Sequence, residues 1–257
     1  MTLAARLAPH LPGPLVARAA RLVYPRFEPE LARLAEMCPA DCGTAVDVGG
    51  WYGPWTHRLA RTARRVVTVE PVPHLARLLA ATTPAHVRVH QAAAGERAGT
   101  ARLWLPPGDR GDRGLASLVR GRVHARAVDV TCLTLDGLGL HQVGFIKIDV
   151  DGGELAVLRG ARRVLTRDRP ALFIELEHRI NPVAPVLALL DELGYHGWVL
   201  PGARWLPLAE FDLAAHQSRT AHVAGRGLLR RVLPAGAGPR YVNSVLFLAG
   251  SQRPGPL

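Results

Sequence analysis

Short β-branched runs alternate with helical patterns along most of the chain. Strands are predicted over Thr44–Val48, Arg65–Glu70, His86–Gln91, Phe145–Val150, Ala171–Glu177, Tyr195–Leu200 and Tyr241–Leu248. Helical patterns lie between them at Trp55–Arg64, Pro73–Ala81, Glu154–Leu165 and Val183–Leu193. A βαβα series of this kind predicts a parallel sheet that is covered by helices on both faces and joined by right-handed crossovers.

Composition indicates one large globular domain. The chain has 257 residues, of which 48% are hydrophobic, enough to bury a full core. Its three cysteines are too few for a disulfide scaffold. Cys38 and Cys42 lack a second pair of metal ligands, which argues against a zinc site. We therefore expect reduced thiols and a cytoplasmic location.

The charge of the chain is strongly positive, at +11. Lys147 is the only lysine, so the other cations are all arginines, as an arginine-rich coding bias would also produce. The arginines are spread along the chain without a stripe of interleaved aromatic residues, so a nucleic-acid partner is not favoured. No apolar run reaches the ~20 residues that span a bilayer. Prolines break the apolar runs of the N-terminus, which argues against a signal peptide.

Asp149 stands at the end of an apolar strand within the segment Gly144–Ala161 (GFIKIDVDGGELAVLRGA). Ile146 and Ile148 precede it, and a Gly-Gly pair and a helical pattern follow it. This order puts a carboxylate at the carboxyl end of a parallel strand, where ligands of open α/β sheets lie. Asp149 is therefore a candidate site residue.

A glycine-rich loop, DVGGWYG, follows the first predicted strand and precedes a helix that begins near Pro54. Gly49, Gly50 and Gly53 would let the backbone approach a ligand closely. The spacing D-x-G-x-x-x-G differs from the G-x-G-x-x-G of dinucleotide enzymes, and no Lys-Ser or Lys-Thr pair follows as in a P-loop. Asp47 could order the loop and meet an ammonium group, directly or through water.

Glu70 ends the second predicted strand. In sheets of this kind, that place belongs to a carboxylate that accepts hydrogen bonds from a ribose diol. The glycine loop, Glu70 and Asp149 each lie at the carboxyl end of a strand. Together they predict a nucleoside with a cationic amino-acid tail as the ligand.

These motifs resemble the class I S-adenosylmethionine-dependent methyltransferases, and within them the FkbM family. The resemblance runs from about Thr44 to Glu177 and returns at Asn243–Leu248. It is carried by AVDVGGWYGPWT, VVTVEPVPHLARLL, VHQAAAGERAGTARLWL, VTCLTLDGL and FIKIDVDGGELAVLRGA followed by FIELE. The chain departs from the family pattern at Trp51, where a small polar residue is common. It departs again at Asp151-Gly152-Gly153, where Glu-Gly-Ala is common.

The resemblance implies a Rossmann-like α/β fold with a seven-stranded, mostly parallel sheet of order 3-2-1-4-5-7-6, whose seventh strand is antiparallel. It also implies O-methylation of a hydroxyl on a sugar, oligosaccharide or glycosylated natural product, with S-adenosyl-L-methionine as the cofactor. The implied cofactor-binding residues are Asp47, Gly49, Gly50, Trp51, Gly53, Glu70, Gln91, Ala92, Ser117 and Asp149. Of these, Glu70 would hold the ribose, and Gln91 with Ala92 would flank the adenine.

Methyl transfer to an alcohol requires removal of the hydroxyl proton. Asp149 lies where the acceptor should approach, Glu175 and Glu177 alternate onto one face of the next strand, and His178 follows. In one mechanism, Asp149 or His178 accepts the proton. In the other, Asp149 and Glu175, with Glu177, hold a Mg²⁺ ion that binds the hydroxyl. The sequence leaves both mechanisms open, with Asp149, Glu175 and His178 as the candidate catalytic residues.

The match divides the chain into an N-terminal helical extension, 1–43, and a methyltransferase domain, 44–257. Insertions are expected at about 92–142 and 201–240, and the acceptor walls are expected within them, at 106–122 and 201–240. Alternative functions are an RNA or protein methyltransferase and a non-catalytic cofactor-binding scaffold. The D/N-P-P-[FY] motif of amino-group methylation is absent after the fourth strand, which favours a small-molecule or oligosaccharide acceptor. The sequence leaves a homodimer open.

Overall fold

A computed structural model describes residues 13–26, 28–38, 42–107, 114, 116–224 and 240–255. Its main feature is an eight-stranded sheet. The strands of this sheet are β1 (Thr44–Val48), β2 (Arg65–Val69), β3 (Val87–His90), β7 (Val143–Ile148), β8 (Ala171–Glu175), β9 (Tyr195–Val199), β10 (Leu206–Pro207) and β11 (Ser244–Ala249). Three further strands form a second sheet: β4 (Ala93–Ala94), β5 (Gly99–Leu105) and β6 (Arg126–Leu133).

The order of the main sheet is β10-β9-β11-β8-β7-β1-β2-β3. Apart from the short strand β10, this is the 3-2-1-4-5-7-6 order that the sequence predicts. Strand β11 runs antiparallel to both β8 and β9, as expected of the seventh strand. The eighth strand was not predicted, since its two residues pair only with β9 at the edge of the sheet. The strand order reverses beside β1, which pairs in parallel with β2 on one side and β7 on the other.

Seven α-helices of the described residues accompany the sheets. They are α1 (Gly13–Val23), α2 (Pro54–Leu59), α3 (Pro73–Thr82), α4 (Glu154–Arg159), α5 (Arg162–Asp168), α6 (Ala184–Glu192) and α7 (Leu213–Ala224). The sequence predicts one helix over Glu154–Leu165, but two short helices occupy this region, with Gly160 between them. A Cβ at Gly160 would lie 2.0 Å from the carbonyl oxygen of Gly95, so a close backbone contact requires glycine there.

The two faces of the main sheet bury different clusters. On one face, the aliphatic side chains of Ile146, Ile148 and Ile174 pack against Leu158 and Leu165 of helices α4 and α5. On the other face, an aromatic group packs beneath the N-terminal segment. Trp55 lies against Phe145 and Phe173, with ring centroids 6.0 and 4.9 Å apart. Strand period dictates this division, because alternate residues of β7 point to opposite faces.

The N-terminal segment is tied to the main sheet by buried polar contacts as well as by apolar packing. It consists of α1 and two 3₁₀ helices, Tyr24–Arg26 and Pro29–Glu36. Leu31 and Leu34 join the aromatic cluster. Nη2 of Arg240 lies 2.6 Å from both carboxylate oxygens of Glu30, whose side chain is fully buried. The segment is thus part of the packed core.

The predicted insertions contain regular structure. Strands β5 and β6 form an antiparallel ribbon within 92–142. Strand β10 and helix α7 lie within 201–240, of which 225–239 is outside the described residues. Of the predicted acceptor wall at 106–122, residues 108–113 and 115 are likewise outside them. Among the described helices, none combines the length and the apolar character that a membrane span requires.

Candidate active site

The carboxyl ends of three neighbouring strands are joined by backbone hydrogen bonds. The N–H of Gly49, after β1, donates to the carbonyl of Val69 at 2.9 Å. The N–H of Asp149, after β7, donates to the carbonyl of Val48 at 3.0 Å. Parallel strands place all their carboxyl ends at the same edge of a sheet, and a site at this edge lies where the strand order reverses.

Gly49 is required by the close approach of two loops at this edge. Its φ is +88°, and an added Cβ would lie 1.9 Å from the carbonyl oxygen of Asp149. A side chain at position 49 would therefore push the loop after β1 away from the loop after β7. The glycine keeps both loops beside one space.

A large cavity of about 330 Å³ occupies that space. Its floor and walls combine backbone of the glycine loop with carboxylates and apolar side chains. Its lining residues include Tyr24, Gly49, Gly50, Trp51, Glu70, Ala93, Ala94, Lys147, Asp149, Asp151 and Glu175. A concave space with apolar walls and a few convergent polar groups has the character of a small-molecule site.

Glu70 is held by two backbone donors. The N–H of Trp51 donates to one carboxylate oxygen and the N–H of Val72 to the other, each at 2.8 Å. Each oxygen keeps a further lone pair for a ligand. Burial raises the pKa of Glu70 to about 7, while the two N–H groups oppose the rise. The carboxylate is therefore fixed in position in the wall of the large cavity.

Asp47 lies beneath the glycine loop and does not line the large cavity. Its side chain is fully buried, and Thr56 donates to its Oδ2 at 2.5 Å. The other oxygen, Oδ1, has no hydrogen-bond partner among the described residues. Burial raises the pKa of Asp47, and Lys147 opposes the rise. Asp47 thus connects β1 to α2 and contributes charge, and any contact of this carboxylate with a ligand would be indirect.

Lys147 and Asp149 form an ion pair at the wall of the large cavity. Nζ of Lys147 lies 2.9 Å from Oδ2 of Asp149. The lysine side chain is 4% exposed, whereas that of Asp149 is 23% exposed. Burial alone would lower the pKa of Lys147, but Asp149, Asp47 and Glu28 more than offset this and raise it above its ordinary value. An ammonium buried to this degree would cost several kcal/mol without such partners.

The N-terminal segment covers the Lys147–Asp149 ion pair from one side. Glu28 accepts hydrogen bonds from Nε1 of Trp55 at 2.6 Å and from Oγ of Ser244 at 2.9 Å. Tyr24 lines the large cavity, and its ring centroid lies 5.9 Å from that of Trp51. Burial raises the pKa of Tyr24, and the carboxylates around it, led by Glu28, add to the rise.

A small cavity of about 180 Å³ adjoins the large one, and the two share Asp151 and Glu175 as lining residues. Glu177, Ile180 and Asn181 are also among its lining residues. Burial raises the pKa of Glu175 well above its ordinary value, and the neighbouring carboxylates, Asp149 first, raise it further. Glu175 accepts a hydrogen bond from Nδ2 of Asn243 at 2.6 Å.

Five sequence-predicted cofactor residues line the large cavity: Gly49, Gly50, Trp51, Glu70 and Asp149. Gly53 instead precedes α2 and has a φ of +86°. Gln91 is exposed and Ala92 is buried, and the next two residues, Ala93 and Ala94, line the cavity in their place.

Ser117 and His178 also lie apart from the cavity linings. The hydroxyl of Ser117 donates to the carbonyl of Asp151 at 2.6 Å and accepts from the N–H of Val119 at 2.9 Å. It therefore ties the segment after β5 to the loop after β7. His178 is exposed, and its backbone N–H donates to Gln217 at 3.0 Å. The geometry thus favours Asp149 over His178 as a base.

The carboxylates do not fit a magnesium ion. No group of three or more acidic, histidine or cysteine side chains among the described residues is arranged to hold a metal. Asp149 is paired with Lys147, and Glu177 accepts hydrogen bonds from Arg179 at 2.9 Å and from Tyr241 at 2.7 Å. The expected ligand set of Asp149, Glu175 and Glu177 is therefore engaged by cations and hydrogen-bond donors.

Sequence reasoning missed Lys147 and Tyr24 as cavity residues. For Lys147 a signal exists, because it is the only lysine and stands two residues before Asp149, hence on the same face of the strand. For Tyr24 no local signal exists, since it lies in the N-terminal segment and reaches the cavity only through tertiary packing.

Comparison with known proteins identifies a family. The family model of the methyltransferase FkbM domain matches residues 41–196. No curated protein sequence gives a match.

Solved structures with similar folds include methyltransferases at low identity. Methyltransferase FkbM from Methylobacillus flagellatus KT is 18% identical over 81% of this chain and 44% of its own, with a TM-score of 0.44. The chain thus spans less than half the length of that protein. Precorrin-6y C5,15-methyltransferase from Geobacter metallireducens GS-15 is 11% identical over 86% of this chain and 85% of its own, with a TM-score of 0.45.

The buried carboxyl of Glu28 makes stability depend on pH. Burial raises the pKa of Glu28 from 4.5 to about 7, against the opposing charge of Lys147. Between these values the folded state keeps a proton that the unfolded state releases, so this contribution to stability is lost as the pH rises from about 4.5 to 7. The slope is at most about 1.4 kcal/mol per pH unit.

We expect E28Q to remove this slope, because glutamine keeps the acceptor oxygen but does not titrate. Denaturant unfolding of both proteins at pH 5, 6, 7 and 8 measures the effect. The wild-type free energy of unfolding should fall relative to that of E28Q between pH 5 and 7. A difference that stays constant across this range would contradict the expectation.

Proposed function

The chain belongs to the FkbM methyltransferase family, and on that premise we propose that it is an S-adenosylmethionine-dependent O-methyltransferase of a sugar, oligosaccharide or glycosylated natural product. The observation that carries the proposal is the large cavity, which has Glu70 in one wall and Asp149 in another. One carboxylate is positioned for binding and the other for proton transfer. A cytoplasmic location and a homodimer stay predictions.

The residues of the large cavity fit the cofactor. Glu70 has a free lone pair on each oxygen after accepting from Trp51 and Val72, and so could accept from both hydroxyls of a ribose. Gly49 and Gly50 expose backbone beside it. Ala93 and Ala94 line the cavity with small apolar side chains, against which a purine could pack. When bound, the cofactor supplies an electrophilic methyl group on a sulfonium.

Asp149 is the proposed base. Its Oδ2 is held by Lys147, and its partly exposed side chain lies in the cavity wall. When a hydroxyl of the acceptor takes the methyl group, Asp149 would accept the proton that this hydroxyl releases. Glu175, whose pKa is raised well above its ordinary value by burial, favours its neutral form and can donate a hydrogen bond to the acceptor.

The small cavity supports a polyhydroxylated acceptor. It adjoins the cofactor cavity at Asp151 and Glu175, so an acceptor bound there would face the transfer site. Its polar lining includes Glu177 and Asn181. Carboxylate and amide oxygens accept hydrogen bonds from hydroxyl groups. Ile180 and neighbouring apolar side chains could cover the carbon face of a sugar ring.

The lining of the small cavity and the Lys147–Asp149 pair argue against the alternative functions. The described residues that line the small cavity include no arginine or lysine that could neutralise the phosphates of RNA. A non-catalytic scaffold would not need the buried Lys147–Asp149 pair, which is costly to keep at a cavity wall.

An acceptor screen tests the proposed substrate class. Oligosaccharides, glycosylated polyketides, RNA and protein substrates would be incubated with methyl-labelled cofactor and with the purified protein. We expect label only in hydroxylated sugar-containing acceptors, as a base-stable methyl ether detected by mass spectrometry. Labelling of RNA or of protein side chains alone would contradict the proposal.

Two isosteric substitutions should separate binding from transfer. In E70Q, the amide NH₂ would face a backbone N–H of Trp51 or Val72, so affinity for S-adenosylhomocysteine should fall about 10- to 100-fold. In D149N, affinity should be retained while kcat falls about 1,000-fold, because the base is lost.

Calorimetric titration and single-turnover rates measure the two effects. E96Q, which alters an exposed carboxylate paired with Arg159 at 3.4 Å, serves as the matched control and should match the wild type in both assays. Full turnover by D149N on a verified acceptor would rule out Asp149 as the base.

Removal of divalent metal should leave the rate unchanged, because the carboxylates are not arranged as a ligand set. The rate would be measured in buffer treated with chelator, and again after addition of Mg²⁺. A loss of rate that Mg²⁺ restores would show that a metal takes part.

A further inference from the structure

We propose that Lys147 is a positioning residue for methyl transfer, which holds the Asp149 carboxylate oriented to accept the proton of the acceptor. The inference rests on the proposed function and assigns to Lys147 a role in catalysis of its own, beyond its contact with Asp149. Its basis is the position of Lys147 in the strand, the carboxylates around it and the composition of the chain.

The composition of the chain singles out position 147. All other cations are arginines, so wherever a positive charge alone sufficed, this chain has arginine. Lys147 is the exception, and it is also buried. Lysine carries a compact point charge on a flexible stem, whereas arginine carries a larger planar fork. A requirement for the smaller group explains why lysine stands there.

The strand places the ammonium at a defined point. Phe145, Lys147 and Asp149 lie on one face of β7 and its end, because alternate residues share a face. The neighbouring strands set Asp47 and Phe173 beside Lys147 in register. The stem of Lys147 therefore lies in a layer of packed side chains, and its Nζ reaches Oδ2 of Asp149, two residues onward, at 2.9 Å.

The ammonium faces several carboxylates. Asp149, Asp47 and Glu28 all act on Lys147 electrostatically, and Lys147 in turn opposes the protonation of Glu70 and Asp151. The charge of Lys147 thus opposes the protonation of four buried carboxyls, those of Glu28, Asp47, Glu70 and Asp151. Lys147 therefore acts on several carboxyls of the cavity, and not only on its ion-pair partner Asp149.

The N-terminal segment keeps this charge away from solvent. Glu28 bridges α2 and β11 across the face of the sheet, through Trp55 and Ser244. The Lys147 side chain beneath it is 4% exposed. Because the ammonium is almost fully buried, its attraction to Asp149 is screened less than that of an exposed pair, and Asp149 is held with one oxygen engaged. The second oxygen, Oδ1, then remains for the acceptor.

Two other roles for Lys147 are distinguishable from this one. As a purely structural pair, Lys147 would affect folding but not the chemical step of folded protein. As a ligand of the cofactor's carboxylate, it would affect cofactor affinity more than kcat. A positioning role predicts the reverse split, with kcat reduced and affinity retained.

The test compares K147M with a surface control, R65M. Methionine has a similar length but no charge, and Arg65 is exposed at the opposite, amino end of β2. We expect kcat of K147M to fall about 100-fold, with the dissociation constant of S-adenosylhomocysteine within about threefold of the wild type. R65M should match the wild type in both measurements.

A second variant covers the case in which K147M does not fold. K147A would be assayed with added methylammonium or ethylammonium, which can enter the space left by the side chain. We expect these cations to raise kcat of K147A at least about tenfold. A neutral alcohol of equal size should leave kcat of K147A unchanged. K147R should recover less than the rescued K147A, because the guanidinium is too large for the site.

The outcomes separate the inference from the proposed function. If the wild type methylates an acceptor and folded K147M does so at the same kcat, the inference is wrong and the proposed function stands. Loss of cofactor affinity with unchanged kcat would overturn it in favour of a cofactor contact. Absence of rescue of K147A by either ammonium ion would also overturn it. If the wild type binds S-adenosylhomocysteine but methylates no acceptor, the proposed function fails first.

Discussion

The approach of Gly49 to the carbonyl of Asp149 is the constraint on which the site depends. An added Cβ would lie 1.9 Å from that oxygen, so the loops after β1 and β7 can meet only through glycine. Their contact sets the distance between the glycine loop and Asp149. Because β1 lies between β2 and β7, Glu70 is brought to the same edge, and the cavity forms between the three strand ends.

The N-terminal segment completes the site from outside the region that the family model matches. Tyr24 lines the large cavity, and Glu28 covers the side of Lys147. Glu30 accepts two hydrogen bonds from Arg240, which anchors the segment next to the last strand. Since the segment carries both apolar anchors and buried carboxylates, it cannot be removed without exposing the charges at the cavity.

Much of this architecture follows from local sequence. The strands around DVGGWYG and IKIDVDGG could be predicted because β-branched runs and glycine turns act over a few residues. That Glu70 and Asp149 lie at the same edge of the sheet could be predicted for the same reason, since each ends a strand. The cavity is lined by Ala93 and Ala94 and not by the predicted Gln91 and Ala92, because the end of β3 and the turn into β4 depend on pairing with β6. The expected roles of His178 and of a metal depended on side-chain directions that spacing alone does not determine.

The sequence by itself determined the α/β class, the strand order through its family resemblance, and the acidic residues at the strand ends. Only the tertiary structure decided that Asp149 is paired with Lys147, that Glu177 is engaged by Arg179 and Tyr241, and that Tyr24 enters the cavity. The physical reason is the separation along the chain of the residues that interact. Strand period and turn chemistry act between near neighbours in the chain, whereas charge pairing and burial depend on segments that meet only when the sheet is covered.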